Sequence, residues 1–266
     1  MALLRAISSL GCPDMSLDEV IGLAIRHGLT AVELRALGGS LDLPAYLKAA
    51  YGSPEALARH LQDSAVSVVA FGTSLRIVGS EKADRESFLE FVPWAEALGV
   101  PRLRVFDGGK AADDAEIAQG AATVSWWTEL RRERGWRTDI MVETHDSLMT
   151  AALIQRLINA VPAISILWDT HHTWKKGGED PLETWARIKR HVCHTHVKDS
   201  ISVPAGKYPY TYVQPGTGEF PAAPLINALR ADKFAGPLSL EWEKVWHPDL
   251  PPLDTALSAA AANSWW

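Results

Sequence analysis

Eight short runs rich in Val, Ile and Leu recur along the chain, separated by longer amphipathic stretches. They are Leu4–Ser8, Ala31–Arg35, Val66–Phe71, Leu103–Asp107, Ile140–Thr144, Ser165–Asp169, Val192–Val197 and Leu238–Trp242. A short run that is apolar at nearly every position reads as a strand buried on both faces, and such strands joined by helices form parallel sheets. The helices mark their own ends. Ser16-Leu17-Asp18-Glu19 is a capping-box sequence ahead of Val20–His27, with Gly28 placed to stop that helix. Ser53 and Pro54 open a helix to about Gln62, Ser87–Leu98 is closed by Gly99, and Asp114–Arg134 by Gly135. Eight strands with seven or more intervening helices predict an α/β fold, a (β/α)₈ TIM barrel, in preference to an open doubly wound sheet of the same alternation. Composition does not break anywhere, so residues 1–266 are expected to form one domain. The segment 199–221, DSISVPAGKYPYTYVQPGTGEFP, is too long and irregular for a simple connection, and is expected to cover a functional site.

A barrel presents its chemistry where the strands end. Here the fifth run ends IMVETHD, the sixth ILWDTHHTW, the seventh HVCHTHVKD and the eighth LSLEWEKVW, each placing carboxylates or histidines directly after buried aliphatics. Six of the nine histidines lie between 145 and 196, a concentration that scattered surface placement does not give. A carboxylate ending a single strand usually just caps the next helix. Four strands ending this way outweigh that reading. Glu143, Asp169, His196 and Glu241 together suit one divalent ion, Mn²⁺, Co²⁺, Mg²⁺ or Zn²⁺. Without an ion, three converging carboxylates raise one another's pKa, a penalty a dication removes.

The period of two sends His194 and His196 to one face; His196, nearer the C-terminal end, is preferred. Glu241 and Glu243 also share a face, and Glu243 takes the ligand position if the strand runs further. His145 is expected to orient a ligand or the substrate. Glu33 and Arg35 are candidates to clamp a substrate hydroxyl or carboxylate, with Asp107 and Arg76 weaker ones; the plain alternative for all of them is a structural ion pair. Lys198 is set to assist a leaving group or bind an anion, its alternative being a surface lysine. Among eleven tryptophans, Trp174 and Trp246 are placed to pack on the C–H face of a sugar, whereas alternation turns Trp168 and Trp242 toward the helices.

These residues, within AVELR, VETHD, WDTHH, HTHVKD, PGTGEFP and LSLEWE, span nearly the whole chain. They resemble the xylose-isomerase-like barrels, which include sugar and sugar-phosphate isomerases and epimerases, inosose dehydratases and the endonuclease IV proteins. The resemblance implies metal ligation by a Glu after strand five, an Asp after strand six, a His in strand seven and a Glu after strand eight, matched by Glu143, Asp169, His196 and Glu241. It also implies substrate contact by His172, which matches the family's Asp-x-x-His element with Asp169. The three-metal endonuclease branch carries extra histidines after strands three and four and an Asp-x-His pair after strand seven. This chain has FGTSL and VFDGG in the first two places and no such pair between Asp199 and Pro221, so one ion is expected. Ketose epimerases carry an Arg where Ser202 stands, and Lys198-Asp199 gives the HxHxKD form of inosose dehydratase-like members.

The expected activity is isomerisation or epimerisation of a sugar or cyclitol through a metal-stabilised enediolate, with Glu143 and Glu241 as base and acid. Expulsion of a β-hydroxyl from the same enediolate would make it an inosose or keto-polyol dehydratase. A catalytically idle polyol-binding barrel is the reading from another class. The expected partner is a small sugar, sugar phosphate or cyclitol, although no Gly-rich phosphate cradle stands out. A net charge of −6 offers no general attraction to nucleic acid. No stretch is apolar enough for a membrane span or signal peptide. The two cysteines, Cys12 and Cys193, fall in no CxxC pattern, which suits a reducing compartment, so the cytoplasm is expected. The closing Asn-Ser-Trp-Trp is expected to pack in a homodimer interface.

Overall fold

A computed structural model of the chain describes residues 3–206 and 208–265. Its strands are β1 (Leu4–Ser8), β2 (Ala31–Leu34), β3 (Ser67–Arg76), β4 (Arg102–Phe106), β5 (Asp139–Glu143), β6 (Ile166–Asp169), β7 (Val192–Val197), β8 (Asp199–Ile201), β9 (Thr211–Val213) and β10 (Pro237–Leu240). Strands β1 to β7 pair in sequence, all parallel, and β10 closes the ring between β7 and β1. Strands β8 and β9 form a separate antiparallel hairpin. The fold is a single-domain TIM barrel.

Around the barrel run α1 (Leu17–Arg26), α2 (Leu43–Tyr51), α3 (Pro54–His60), α4 (Lys82–Leu89), α5 (Val92–Leu98), α6 (Asp114–Arg134), α7 (Ala151–Ala160), α8 (Pro181–Ile188), α9 (Ala222–Ala231) and α10 (Leu253–Ala262). The capping box forms as read: the Glu19 amide donates to Ser16 Oγ at 3.3 Å, and the Ser16 amide donates to Glu19 Oε2 at 2.7 Å. Gly135 ends α6 in the left-handed region, with φ of 67°. The helix expected over Ser87–Leu98 is instead two, α4 and α5. Pro93 sits in the first turn of α5, where its missing N–H costs nothing, but the chain before it cannot carry α4's hydrogen bonds through. None of the described helices is long and apolar enough to cross a membrane.

Most of the apolar core lies between the strands and the surrounding helices, where side chains such as Leu34, Phe71, Leu103 and Leu225 are wholly buried. Within the barrel, Ala70, Met141 and Leu167 form a smaller apolar layer with Cys193 against it. Along β5 and β6 the next inward positions above Met141 and Leu167 are Glu143 and Asp169. The bore therefore changes from apolar to charged toward the C-terminal ends of its strands. Strand β3 continues past the expected Phe71 to Arg76 through a bulge after Gly72, and so carries Ser74 and Arg76 to that same end.

Candidate metal centre and cavity

Register brings the four expected ligands together. Asp169 is paired with His196 across β6 and β7, and the Glu241 amide donates to the Val197 carbonyl across β7 and β10. One ligand atom from each of Glu143, Asp169, His196 and Glu241 lies within 4.8 Å of all the others, and all four residues are buried. The His196 ring is fixed from behind: its Nε2 lies 2.9 Å from Glu33 Oε1, which leaves Nδ1 facing Glu241 Oε2 at 3.2 Å and Glu143 Oε1 at 3.4 Å. Glu33 is also 2.7 Å from His194 Nε2. A carboxylate behind a ligating imidazole sets its tautomer and raises its basicity. Glu33, expected on the substrate, is thus off the cavity wall. Its strand register pairs it with Ala70, in the layer beneath the strand ends.

Lys198 continues the inward face of His194 and His196, and it is wholly buried, not a surface lysine. Its Nζ lies 2.8 Å from Asp169 Oδ2 and 2.5 Å from Glu243 Oε1, and it also contacts Glu241 Oε2. A second cation, Arg104, escaped the sequence reading. Its Nε is 3.2 Å from Glu143 Oε2, and its Nη1 donates to the Thr73 carbonyl at 2.8 Å. The available signal was an arginine at the centre of the buried strand RLRVF with Gly72 opposite. A Cβ on Gly72 would meet Arg104 Nη2 and Arg35 Cδ, each at 2.8 Å.

These charges set the protonation of the centre. Burial pushes Glu143 up, but Arg104 and His196 outweigh it and hold the carboxyl below its ordinary value. Burial is likewise overcome at Glu241, which His196 and Lys198 hold well below the usual range. At Asp169 and Glu243 burial prevails over Lys198, with help from the neighbouring carboxylates, and both are raised. Burial opposes charge on His196, yet Glu241 and Glu33 hold it well above the ordinary imidazole value.

Buried polar atoms in folded proteins almost always find hydrogen-bond partners. Glu143 Oε2, Asp169 Oδ2 and His196 Nδ1 are buried and, among the described residues, make no hydrogen bond of good geometry. With Glu241 they bring four side chains into mutual reach, and oxygen donors plus one imidazole nitrogen, once the ring gives up its proton, are what a small divalent cation takes. The residues therefore fit the expected ion. A second acidic grouping, Asp107 with His145 and Asp146, is otherwise engaged. Asp107 accepts from the amides of 145–148 and from Ser147 Oγ, and so braces the loop after β5.

Above the centre opens a cavity of about 550 Å³. Arg35, Ser74 and Arg76 line one side, Phe106, His145 and His172 another, and Tyr208, Tyr210 and Tyr212 close it from the hairpin. The His172 amide donates to Asp169 Oδ1 at 3.0 Å, and its Nδ1 lies 3.1 Å from the Thr144 carbonyl, so the ring is held at the edge of the centre. His145 lies tilted against Phe106, ring centres 4.6 Å apart, and meets His172 edge-on at 5.0 Å. Trp246 lines the cavity; Trp174 does not, because it packs against Phe220 and His171. Trp168 and Trp242 are buried away from the bore, one stacked on Trp185 and the other donating to the Pro251 carbonyl.

Residues 21–263 match the family described as xylose isomerase-like TIM barrel. The chain belongs to that family. Solved structures of similar fold include the probable 3-DHS dehydratase AsbF from Bacillus anthracis, at 18% identity and a TM-score of 0.77 over 97% of this chain and 98% of that one. The IolI protein with a bound zinc atom follows at 17% identity and a TM-score of 0.77, over 98% and 96% of the two chains. The 3-keto-D-glucoside 4-epimerase YcjR from E. coli shares 13% identity over 99% of both, with a TM-score of 0.70. At these identities the likeness is one of fold. No curated protein matches the chain in sequence.

This xylose isomerase-like barrel closes its cavity with the segment expected as an irregular loop. The hairpin β8–β9 is rooted by one carboxylate: Asp199 accepts from the amides of Ser200, Gly216, Gly218 and Phe220. A Cβ on Gly218 would lie 2.2 Å from Asp199 Oδ1, so only glycine lets that amide approach. Glu219 ties the hairpin outward, accepting from the Ser202 amide at 2.9 Å and pairing with Lys175 Nζ at 3.0 Å. Trp265, expected at a dimer surface, is buried in its own chain beside Phe220; Trp266 lies outside the described residues.

Proposed function

We propose that the chain is a divalent-metal-dependent isomerase or epimerase of a small keto-polyol, a sugar or cyclitol. The observation that carries this reading is the convergence of Glu143, Asp169 and His196, whose buried facing atoms make ion-pair contacts but no hydrogen bond among the described residues, completed by Glu241 from the opposite side of β7. These four residues would hold the ion; the bound zinc in the IolI structure supports that assignment. Such an ion, when bound, withdraws electron density from a carbonyl and acidifies the neighbouring C–H. Arg104 and Lys198 favour the ionised forms of Glu143 and Glu241, the state a general base requires. Glu143 takes the proton from the carbon beside the carbonyl, and the Lys198 ammonium, in contact with Glu241, supplies through that carboxylate the proton for the opposite face; solvent then takes the proton from Glu143 and restores the one on Lys198. His172 orients the polyol from the cavity edge, and Trp246 and Phe106 offer apolar faces to its C–H surface.

Lys198 favours a second reading. Its ammonium would donate its proton to a hydroxyl on the β-carbon, which departs as water while the C=C bond forms; the proton abstracted from the α-carbon stays on the carboxylate base and afterwards restores the ammonium. The dehydratase among the structures of similar fold supports keeping this reaction in view. We place the enzyme in the cytoplasm, in keeping with two unpaired cysteines whose thiols burial pushes up, to about 12 at Cys12 and about 11 at Cys193.

The test is elemental analysis of the purified protein, followed by incubation with keto-polyols in deuterated solvent. About one equivalent of divalent metal is expected, together with solvent deuterium entering the carbon beside the carbonyl. Deuterium without loss of water indicates isomerisation or epimerisation; an absorbing enone indicates dehydration. Glu143→Gln and Glu241→Gln should abolish the exchange. Absence of metal at saturating concentrations would overturn the enzyme readings and leave a polyol-binding barrel.

A further inference from the structure

The buried carboxylate centre is well paired, by Arg104, Lys198 and His196, whereas the basic groups on the cavity wall are not. Arg35, Arg76 and Lys176 all line the cavity, and among the described residues none of the three lies in an ion pair. The two acids on the wall are already engaged, Asp146 by His145 at 2.8 Å and Glu243 by Lys198 at 2.5 Å.

Arg35 is the most telling of the three. Its side chain is buried, only 7% exposed, and its guanidinium contacts neutral oxygens alone: Nη2 donates to Ser74 Oγ at 3.1 Å, and Nη1 reaches the Leu41 carbonyl at 3.5 Å. It also packs beside Arg104 over the bare backbone of Gly72, and Glu143 already occupies Arg104. A buried cation next to a like charge is costly unless an anion meets it. Burial first, then Arg104, lower Arg35 to about 9, against the more distant pull of Glu143 and Glu241. Lys176 extends from the widened turn His172–Lys176 after β6, and Arg76 from the end of β3, so both approach the same opening.

Resting on the keto-polyol reading above, we infer that the substrate carries an anionic oxyacid group, a carboxylate or a phosphate, held by Arg35 with Lys176 and Arg76 while its carbonyl end lies over the carboxylate centre. A guanidinium fork and an ammonium together recognise the oxygens of either group, and charge-assisted hydrogen bonds of this kind are about twice as strong as neutral ones. The basic wall also sets polarity: with the anionic group drawn to the wall, the carbonyl end is left toward the centre, which gives one orientation for the reacting carbons.

The test compares three six-carbon probes by calorimetry on the full chain with Mn²⁺, at fixed ionic strength: D-fructose, D-fructuronate, whose carboxylate lies at the end far from the ketone, and D-fructose 6-phosphate. One of the anions should bind at least ~10-fold more tightly than fructose, and which one does so distinguishes carboxylate from phosphate. Arg35→Gln should reduce that advantage to below ~3-fold, and Lys176→Gln should reduce it in part, with fructose affinity unchanged in both. Failure of both anions to outbind fructose, absence of binding by either anion, or an advantage that survives both substitutions overturns the inference. If Arg35→Gln does not fold, Lys176→Gln and Arg76→Gln decide between these outcomes. The comparison is repeated on metal-stripped chain, where the anion preference should persist. Loss of metal binding or deuterium exchange therefore counts against the proposed reaction and leaves the anion site to be judged by the probes.

Discussion

Glu33 acts on the centre only through His196. Held 2.9 Å from Nε2, it keeps Nδ1 turned toward the carboxylates, and its own acidity is strengthened: burial would raise it, but His196 and His194 outweigh burial and leave it well below the ordinary range. Glu33→Gln is expected to weaken divalent-metal affinity by about 10- to 100-fold while far-UV circular dichroism stays unchanged. Competition with a fluorescent chelator measures this, and an unaltered metal Kd would refute the orienting role. At this scale, what could be read from the sequence depended on locality. Glu143 and Asp169 were visible because each follows buried aliphatics at a strand end, a property of one strand alone. Arg104 was not, because its place beside Glu143 and over Gly72 depends on the register of three strands. Lys198 was assigned a role without its burial, since only carboxylates from two other strands make a buried ammonium tolerable.

Among the elements, the hairpin carries a pH-sensitive fastening. Glu219 is lowered to about 2 by Ser202 and Lys175, against an unfolded value of about 4.5. A depressed carboxylate stabilises above its unfolded pKa, and the contribution is lost as pH falls through the folded value. Hydrogen-exchange protection of the 199–219 segment should therefore decline between about pH 4.5 and pH 2. Glu219→Gln should show less protection at neutral pH and no such decline; an unchanged profile would count against the fastening. In α1, Ser16→Ala removes the helix cap and is expected to cost about 1 kcal/mol in urea unfolding, with metal binding unaffected. That cap was legible because both partners lie within four residues. The hairpin was not, because two three-residue strands among Pro and Gly are too short to display a period of two. The division of α4 from α5 turned on Pro93, whose effect the apolar periodicity masks.

For the molecule as a whole, the cost of gathering carboxylates at one end of the bore falls on stability. Any ion bound only by the folded chain adds stability by mass action, about 2.7 kcal/mol at 100 times its Kd. For a chain of this size the melting temperature should rise by roughly 5–10 °C on saturation with Mn²⁺ and fall again with chelator. Scanning calorimetry checks this, and Glu143→Gln should respond to neither addition. The closed ring of eight strands was foreseeable because every strand announced itself by an aliphatic run, and short connections leave the parallel barrel few alternatives. The stacking of apolar, ligating and basic layers above one another was not, since it depends on the stagger between strands. The root at Asp199 also decides how the tyrosine wall of the cavity is hung. One carboxylate gathers both ends of the hairpin, accepting from Ser200 on one side and from Gly216, Gly218 and Phe220 on the other. The wall therefore depends on a single side chain placed just beyond the end of β7, apart from the strand-end residues beneath it.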